Sequence, residues 1–182
     1  VVGRRDLDAL TVDYRTLRER DRVKVVHDRA TAIDPDGGTV TLGDGRRLGW
    51  DRLVCAPGIE IDFDALEGYD ENAMARFPHA WKAGDQTLAL NRRLRAMPED
   101  GLVVVTAPPN PYRCPPGPYE RASLIAHWAG RHKPKAKVVI LDAKDTFTKS
   151  GLFKGAWSQR YPERLEWVGQ ADGGTLRRVD AQ

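Results

Sequence analysis

The chain has 182 residues, 41% of them hydrophobic and 30% charged, with a formal net charge of +3. Those values describe a globular chain long enough for one or two cored domains and exclude an intrinsically disordered one. Two cysteines are too few for a disulfide scaffold or a structural zinc site, so no metal site is expected.

No apolar run is long enough to span a bilayer. The one basic run, RHKPKAK (Arg131 to Lys137), reads as the solvated end of a helix. It lacks the aromatic company of a nucleic-acid surface, so no nucleic-acid partner is expected.

In chain order, residues 6–20 place Leu7, Leu10, Tyr14 and Leu17 on one helical face and predict a helix. VKVVHDRATAID (Val23 to Asp34) is rich in β-branched residues and predicts a strand. A turn cluster from Asp34 to Gly38, TVTL (Thr39 to Leu42), a Gly43–Gly45 loop and RRLGW then complete a small antiparallel meander. DRLVCAPG (Asp51 to Gly58) predicts a short buried strand with Cys55 in the core, ending in a Pro-Gly turn. Glycines, prolines and charges break up the following residues until QTLALNRRLRAM (Gln86 to Met97), which predicts a helix.

A second unit follows. Strand Leu102–Thr106, a proline-rich loop, helix Pro118–His132 and strand Lys137–Leu141, ending in Asp142, make a βαβ pattern. That pattern requires a parallel sheet with a right-handed crossover, so the fold class is α/β. Near the end, TLRRVD reads like another strand. Val1 stands where a methionine would open a reading frame, and the chain stops just after that segment. Both edges read as those of an internal fragment, so the missing leader says nothing about compartment.

The loop APPNPYRCPPGP occupies the turn where a dinucleotide-binding βαβ unit needs glycines, so that main-chain N–H groups can approach the pyrophosphate. Its prolines lack those donors and only Gly117 is available, which argues against NAD or NADP at this turn. The loop offers a thiol instead. With Gly117 as N-cap and Pro118 in the first helical position, Cys114 lies just before a positive helix end and beside Arg113. Both neighbours favour thiolate. Spacing alone leaves Cys114 open between a small packing residue and a reactive one. A Cys55–Cys114 disulfide is also left open. His27 and His79 are lone histidines and read as structural or solvated ones.

RCPPGPYERAS (Arg113 to Ser123), together with VVHDRATAIDPDGGTV, WDRLVCAPGIE, EGYDENAMARFPHAWKAGDQT and HKPKAKVVILDAKDTF, resembles the flavoprotein subunit of flavocytochrome c sulfide dehydrogenase. That family is related to the sulfide:quinone oxidoreductases. The likeness runs through essentially the whole chain, and CPPGPYER with HAWKAG carries its specificity.

The resemblance implies a fragment of a flavoprotein with two dinucleotide-binding domains, of the glutathione-reductase type. Residues 1–60 would be the later part of the FAD domain, 61–100 a connector, and 101–182 a second domain that takes no pyridine nucleotide. FAD is the implied cofactor. The implied contacts to it are Ala30, where the adenine is met, and Ala56, Pro57 and Gly58, where small residues let the backbone come close. A simple tight turn remains open at Gly58.

The resemblance makes Cys114 the catalytic, redox-active cysteine. Sulfide would attack its disulfide, and two electrons would pass to FAD and leave singly to a c-type cytochrome subunit in the periplasm. An upstream GxGxxG, the second redox cysteine and a downstream Gly-Asp segment are absent from these residues, so the chain carries part of an active site. The rivals are a quinone-coupled sulfide oxidoreductase, an NADH-type disulfide reductase, and a non-catalytic domain of the same fold that binds a cytochrome or another protein. Trp81 and Lys82 belong to the family-like HAWKAG, with no chemical role assigned.

Overall fold

The computed structural model describes residues 1–180. It is an α/β chain with two sheets, one antiparallel and one parallel, each of three strands. Two compact units divide it: Asp6–Ile59 form one, and Val1–Arg5 with the described residues from Glu60 onward form the other.

In the unit Asp6–Ile59, helix α1 spans Arg15–Arg20, and strands β1 (Ala30–Asp34), β2 (Thr39–Leu42) and β3 (Arg47–Gly49) form an antiparallel meander. Three expectations change here. The predicted helix over 6–20 is split into a 3-10 turn at Asp8–Leu10 and α1. Asp6 accepts from the Ala9 N–H at 2.7 Å and Asp13 from the Arg15 N–H at 2.7 Å, so each aspartate restarts the chain with a local bond that competes with a continuous helix.

The strand expected from Val23 begins only at Ala30, because β2 offers four residues to pair with and the ladder ends with it. The segment Asp51–Gly58 is not a strand at all. No ladder pairs with it, Pro57 supplies no N–H, and Cys55 is exposed rather than in a core.

The second unit is built around a parallel sheet in the order β4 (Leu102–Ala107), β5 (Lys137–Asp142), β6 (Leu165–Val168). Leu102 to Ala107 pair in step with Lys137 to Asp142, and Val138 to Leu141 with Leu165 to Val168. Helices α2 (Glu71–Arg76) and α3 (Asp85–Ala96) precede the sheet. Helix α4 (Gly117–His132) crosses from β4 to β5, and α5 (Ser150–Arg160) from β5 to β6. The expected strand at TLRRVD is reduced to a single bridge between Glu67 and Arg178.

Helix α4 buries Tyr119, Ala122, Ile125, Ala126 and Ala129, the i, i+3, i+4, i+7 spacing that turns one stripe of a helix to a core. They meet Val138 and Ile140, the inward alternate residues of β5. Phe147 stacks on the Tyr119 ring with centroids 3.7 Å apart, and Phe153 and Trp157 of α5 close the cluster.

The one buried charged residue among those described is Asp142, at the end of β5. Its carboxylate accepts from Tyr119 Oη at 2.6 Å and Trp167 Nε1 at 3.0 Å, and it pairs with Lys144 Nζ at 2.6 Å. A buried carboxylate stripped of its counter-charge is expensive. Lys144→Met is therefore expected to lower stability by about 3–5 kcal/mol in urea unfolding. The double change Asp142→Asn/Lys144→Met keeps an acceptor for Tyr119 and Trp167 and should restore more than half of that loss.

Candidate functional site around Cys114

Strand β4 ends at Ala107 and α4 begins at Gly117, so Pro108 to Pro116 form the loop at the carboxyl end of the parallel strands. In open α/β sheets, ligands bind at that end. The loop is tied down at three points. Lys144 Nζ donates to the Pro108 carbonyl at 2.7 Å and lies 4.9 Å from the centre of the Tyr112 ring. Tyr112 Oη donates to the Pro115 carbonyl at 2.8 Å, and the Gly117 N–H donates to the Cys114 carbonyl at 2.8 Å.

Cys114 sits at the apex with φ at +57°, in the left-handed region that a residue bearing a Cβ enters only when its surroundings force it. Its thiol is exposed and free.

The helix start differs by one position from the sequence expectation. Pro116 is the N-cap, with Gly117 and Pro118 as the first two helical residues. The shift has a cause, since the Pro116 carbonyl accepts from both Tyr119 N at 3.1 Å and Glu120 N at 3.0 Å. With the Gly117 N–H on Cys114 and no N–H on Pro118, every first-turn donor through Glu120 is used or missing. This helix end offers no main-chain cradle to a phosphate.

Gly117 is required by what lies against it. A Cβ there would stand 2.8 Å from the Trp81 ring and 3.5 Å from Cys114 Sγ. The Trp81 ring meets Tyr112 edge-on at 6.4 Å and lies 5.4 Å from Arg121 Cζ. Arg121 donates to the carbonyls of His79 at 2.5 Å and Ala80 at 2.6 Å. Burial pulls the Arg121 pKa below its ordinary value, and the nearby Cys114 partly opposes this. His79 accepts from the Trp81 N–H at 3.0 Å through Nδ1, and its pKa is lowered first by burial and then by Arg121 and Lys82. Burial raises the Tyr112 pKa; burial and the bond to Asp142 raise that of Tyr119.

Cys114 is thus brought together with Trp81, Tyr112, Gly117 and Arg121. Of these, Arg121 and Tyr112 escaped the sequence reading. An arginine at i+4 from the helix-opening glycine was the available signal for the first. Ala30, Ala56, Pro57 and Gly58 lie in the unit Asp6–Ile59. Ala30 opens β1 opposite Leu42 instead of lying inside a strand that starts at Val23. Gly58 has φ at +85°, and no heavy atom lies within 4 Å of the position a Cβ would take.

The family model for the sulfide dehydrogenase (flavocytochrome c) flavoprotein chain, central region, matches residues 87–182, which include the Cys114 loop and all of the parallel sheet. The chain belongs to this flavoprotein family. A sulfide-quinone reductase of Aquifex aeolicus (strain VF5) is 33% identical over 72 residues, 40% of this chain and 16% of that protein. The chain therefore matches only a small part of that relative's length. A chain in the cryo-EM structure of the Tetrahymena thermophila mitochondrial ATP synthase is 21% identical with a TM-score of 0.45, covering 78% of this chain and 39% of that one. A likeness of that depth carries no functional weight.

The family is one of FAD-dependent, sulfide-oxidising flavoproteins, and its name carries a cytochrome c. Among the described residues no helix is long and apolar enough to cross a membrane.

The partial burial of His79 beside Arg121 and Lys82 has a measurable consequence. Its folded pKa lies below the 6.5 of the free side chain, so the unfolded chain binds the proton more readily. The contribution of His79 is complete above pH 6.5 and is lost as pH falls from there toward the lowered folded value. Urea midpoints should therefore fall on acidification below that pH, and His79→Gln should flatten this part of the profile.

Proposed function

We propose that this chain is the central part of an FAD-dependent sulfide dehydrogenase, with Cys114 as the redox cysteine and a periplasmic c-type cytochrome as electron acceptor. The observation that carries this reading is that the family match spans RCPPGPYER and that Cys114 there is exposed at a strained apex beside Trp81 and Arg121. Residues 1–60 then belong to the flavin domain, 61–100 connect, and 101–182 form the second domain.

FAD, when bound, supplies a two-electron acceptor that can release electrons one at a time. Ala30, Ala56, Pro57 and Gly58 would hold it, and the open backbone at Gly58 suits the close approach of a flat group.

Cys114 acts as half of a disulfide. Hydrosulfide attacks its sulfur, a new S–S bond forms as the old one breaks, and the partner cysteine leaves as thiolate. The persulfide on Cys114 gives up the proton brought by hydrosulfide; joining it to the partner thiolate as a trisulfide releases two electrons, for which a bound FAD would supply the acceptor. Lys144 and Tyr112 hold the loop so that the sulfur stays presented.

The 33% identity to a sulfide-quinone reductase favours a second reading of the acceptor, a quinone. Reoxidation by cytochrome c or by a soluble quinone separates the two.

Sulfide should bleach the flavin absorbance of the intact protein, and Cys114→Ser should slow this about a hundredfold or more. Cys55→Ser should retain it. Bleaching at an undiminished rate in Cys114→Ser would sink the assignment.

A further inference from the structure

We propose that Arg121 is a specificity-determining residue that gives the Cys114 sulfur a positive flank, selecting small anions over neutral molecules as reaction partners. The inference rests on the reading of Cys114 as the reacting cysteine and names the class of molecule admitted to it: singly charged anions of the size of hydrosulfide.

The placement follows from the helix. Gly117 and Arg121 are one turn apart on the same face of α4. The Cβ position of Gly117 lies 3.5 Å from Cys114 Sγ and 2.8 Å from the Trp81 ring, and the Arg121 guanidinium carbon lies 5.4 Å from the centre of that same ring. Sulfur, indole and guanidinium therefore share one patch of the helix start. A side chain on residue 117 would crowd the contact.

The charge is held in place. Two successive main-chain carbonyls, of His79 and Ala80, accept from Arg121. Neighbouring carbonyls in an extended chain point to opposite sides, and here they converge because Ala80 is left-handed, with φ at +50°. A buried alanine in that region is strained, and the strain places two acceptors around one guanidinium.

The charge is also not cancelled. Both acceptors are neutral, and among the described residues Arg121 makes no ion pair with a carboxylate. The nearby Lys144 differs, since Asp142 neutralises it. The influence of Cys114 on Arg121 agrees with this geometry. A half-buried, uncompensated guanidinium acts through a medium less polar than water, where its field reaches further.

The test compares two alkylating agents on Cys114 in the intact protein carrying Cys55→Ser, its disulfide reduced and the reductant removed beforehand, with labelling at Cys114 followed by mass spectrometry. Iodoacetate is an anion and iodoacetamide is neutral, so the ratio of their rates at one pH cancels the thiolate fraction and reports the potential at the sulfur. Arg121→Met is expected to lower the ratio by about fivefold or more, and Arg121→Lys to recover part of it. Raising the salt from about 20 to about 500 mM should lower the ratio in the protein bearing Arg121 and lower it less in Arg121→Met, where Arg113 remains.

An equal ratio in Arg121→Met and its parent overturns the proposal. Should Arg121→Met fail to fold, a salt-independent ratio in the parent overturns it equally. The ratio is read whether or not Cys114 turns over sulfide. Loss of sulfide bleaching in Cys114→Ser with an unmoved ratio removes only the role of Arg121. Retained bleaching in that variant removes the redox reading itself.

Discussion

The carboxylate of Asp142 is fully buried at the end of the central strand of the parallel sheet. Three donors from three places converge on it: Tyr119 from α4, Trp167 from β6, and Lys144 from the turn after β5. Charge in such a place is tolerated only when it is both paired and hydrogen-bonded. Satisfying it therefore fixes the helix, the edge strand and the turn relative to one another. The aromatic layer over Tyr119, with Phe147 stacked at 3.7 Å, keeps water from competing for those bonds. Lys144 then extends the constraint outward to the Pro108 carbonyl and the Tyr112 ring, and Tyr112 to Pro115. The strained cysteine loop inherits its shape from a salt bridge at the base of the helix.

That arrangement explains how a topology suited to nucleotides can hold a thiol. A phosphate-binding turn spends its first-turn N–H groups on the ligand. Here the same groups are absent on proline or turned back onto the carbonyls of Cys114 and Pro116. The helix end is closed by its own loop, and what remains exposed at the apex is the cysteine. Positive charge near the sulfur then comes from a side chain, Arg121, fixed by contacts forty residues away in sequence.

The legible parts of the sequence were those where one element determines its own burial. The apolar runs in LVVVTA and KVVILD and the stripe of Tyr119, Ala122, Ile125, Ala126 and Ala129 on α4 mark residues that face one core, and β4, α4 and β5 lie within a residue or so of their expected bounds. The illegible parts depended on partners. VKVVHD and LVCAPG have the composition of strands, but strand formation requires a ladder, and β2 is too short to supply one to the first. The same reason exposes Cys55. At the site, the thiol could be found because an unusual loop announces itself. Arg121 shows in the sequence only as an arginine one turn after the helix-opening glycine, and its meaning comes from carbonyls at 79 and 80 that only the folded chain places beside it.

The two units also differ in how they hold themselves together. The parallel-sheet unit has a continuous core from Val2 to Leu165. Between Asp6 and Ile59, Leu42 is the single buried hydrophobic residue among those described, every residue of β1 is exposed, and Val54 is 89% exposed in an apolar stretch. A segment of that size with so little buried apolar surface has little stability of its own to offset chain entropy. Its meander is held mainly by ladder bonds, and its apolar stretch Leu53–Gly58 is left for another surface to cover. If a flavin covers part of it, as the proposed contacts at Ala56, Pro57 and Gly58 require, binding and folding of this unit are linked. Each occupied site then adds stability in proportion to the logarithm of ligand concentration over its dissociation constant. The parallel-sheet unit, whose core is already closed, has no need of such a contribution.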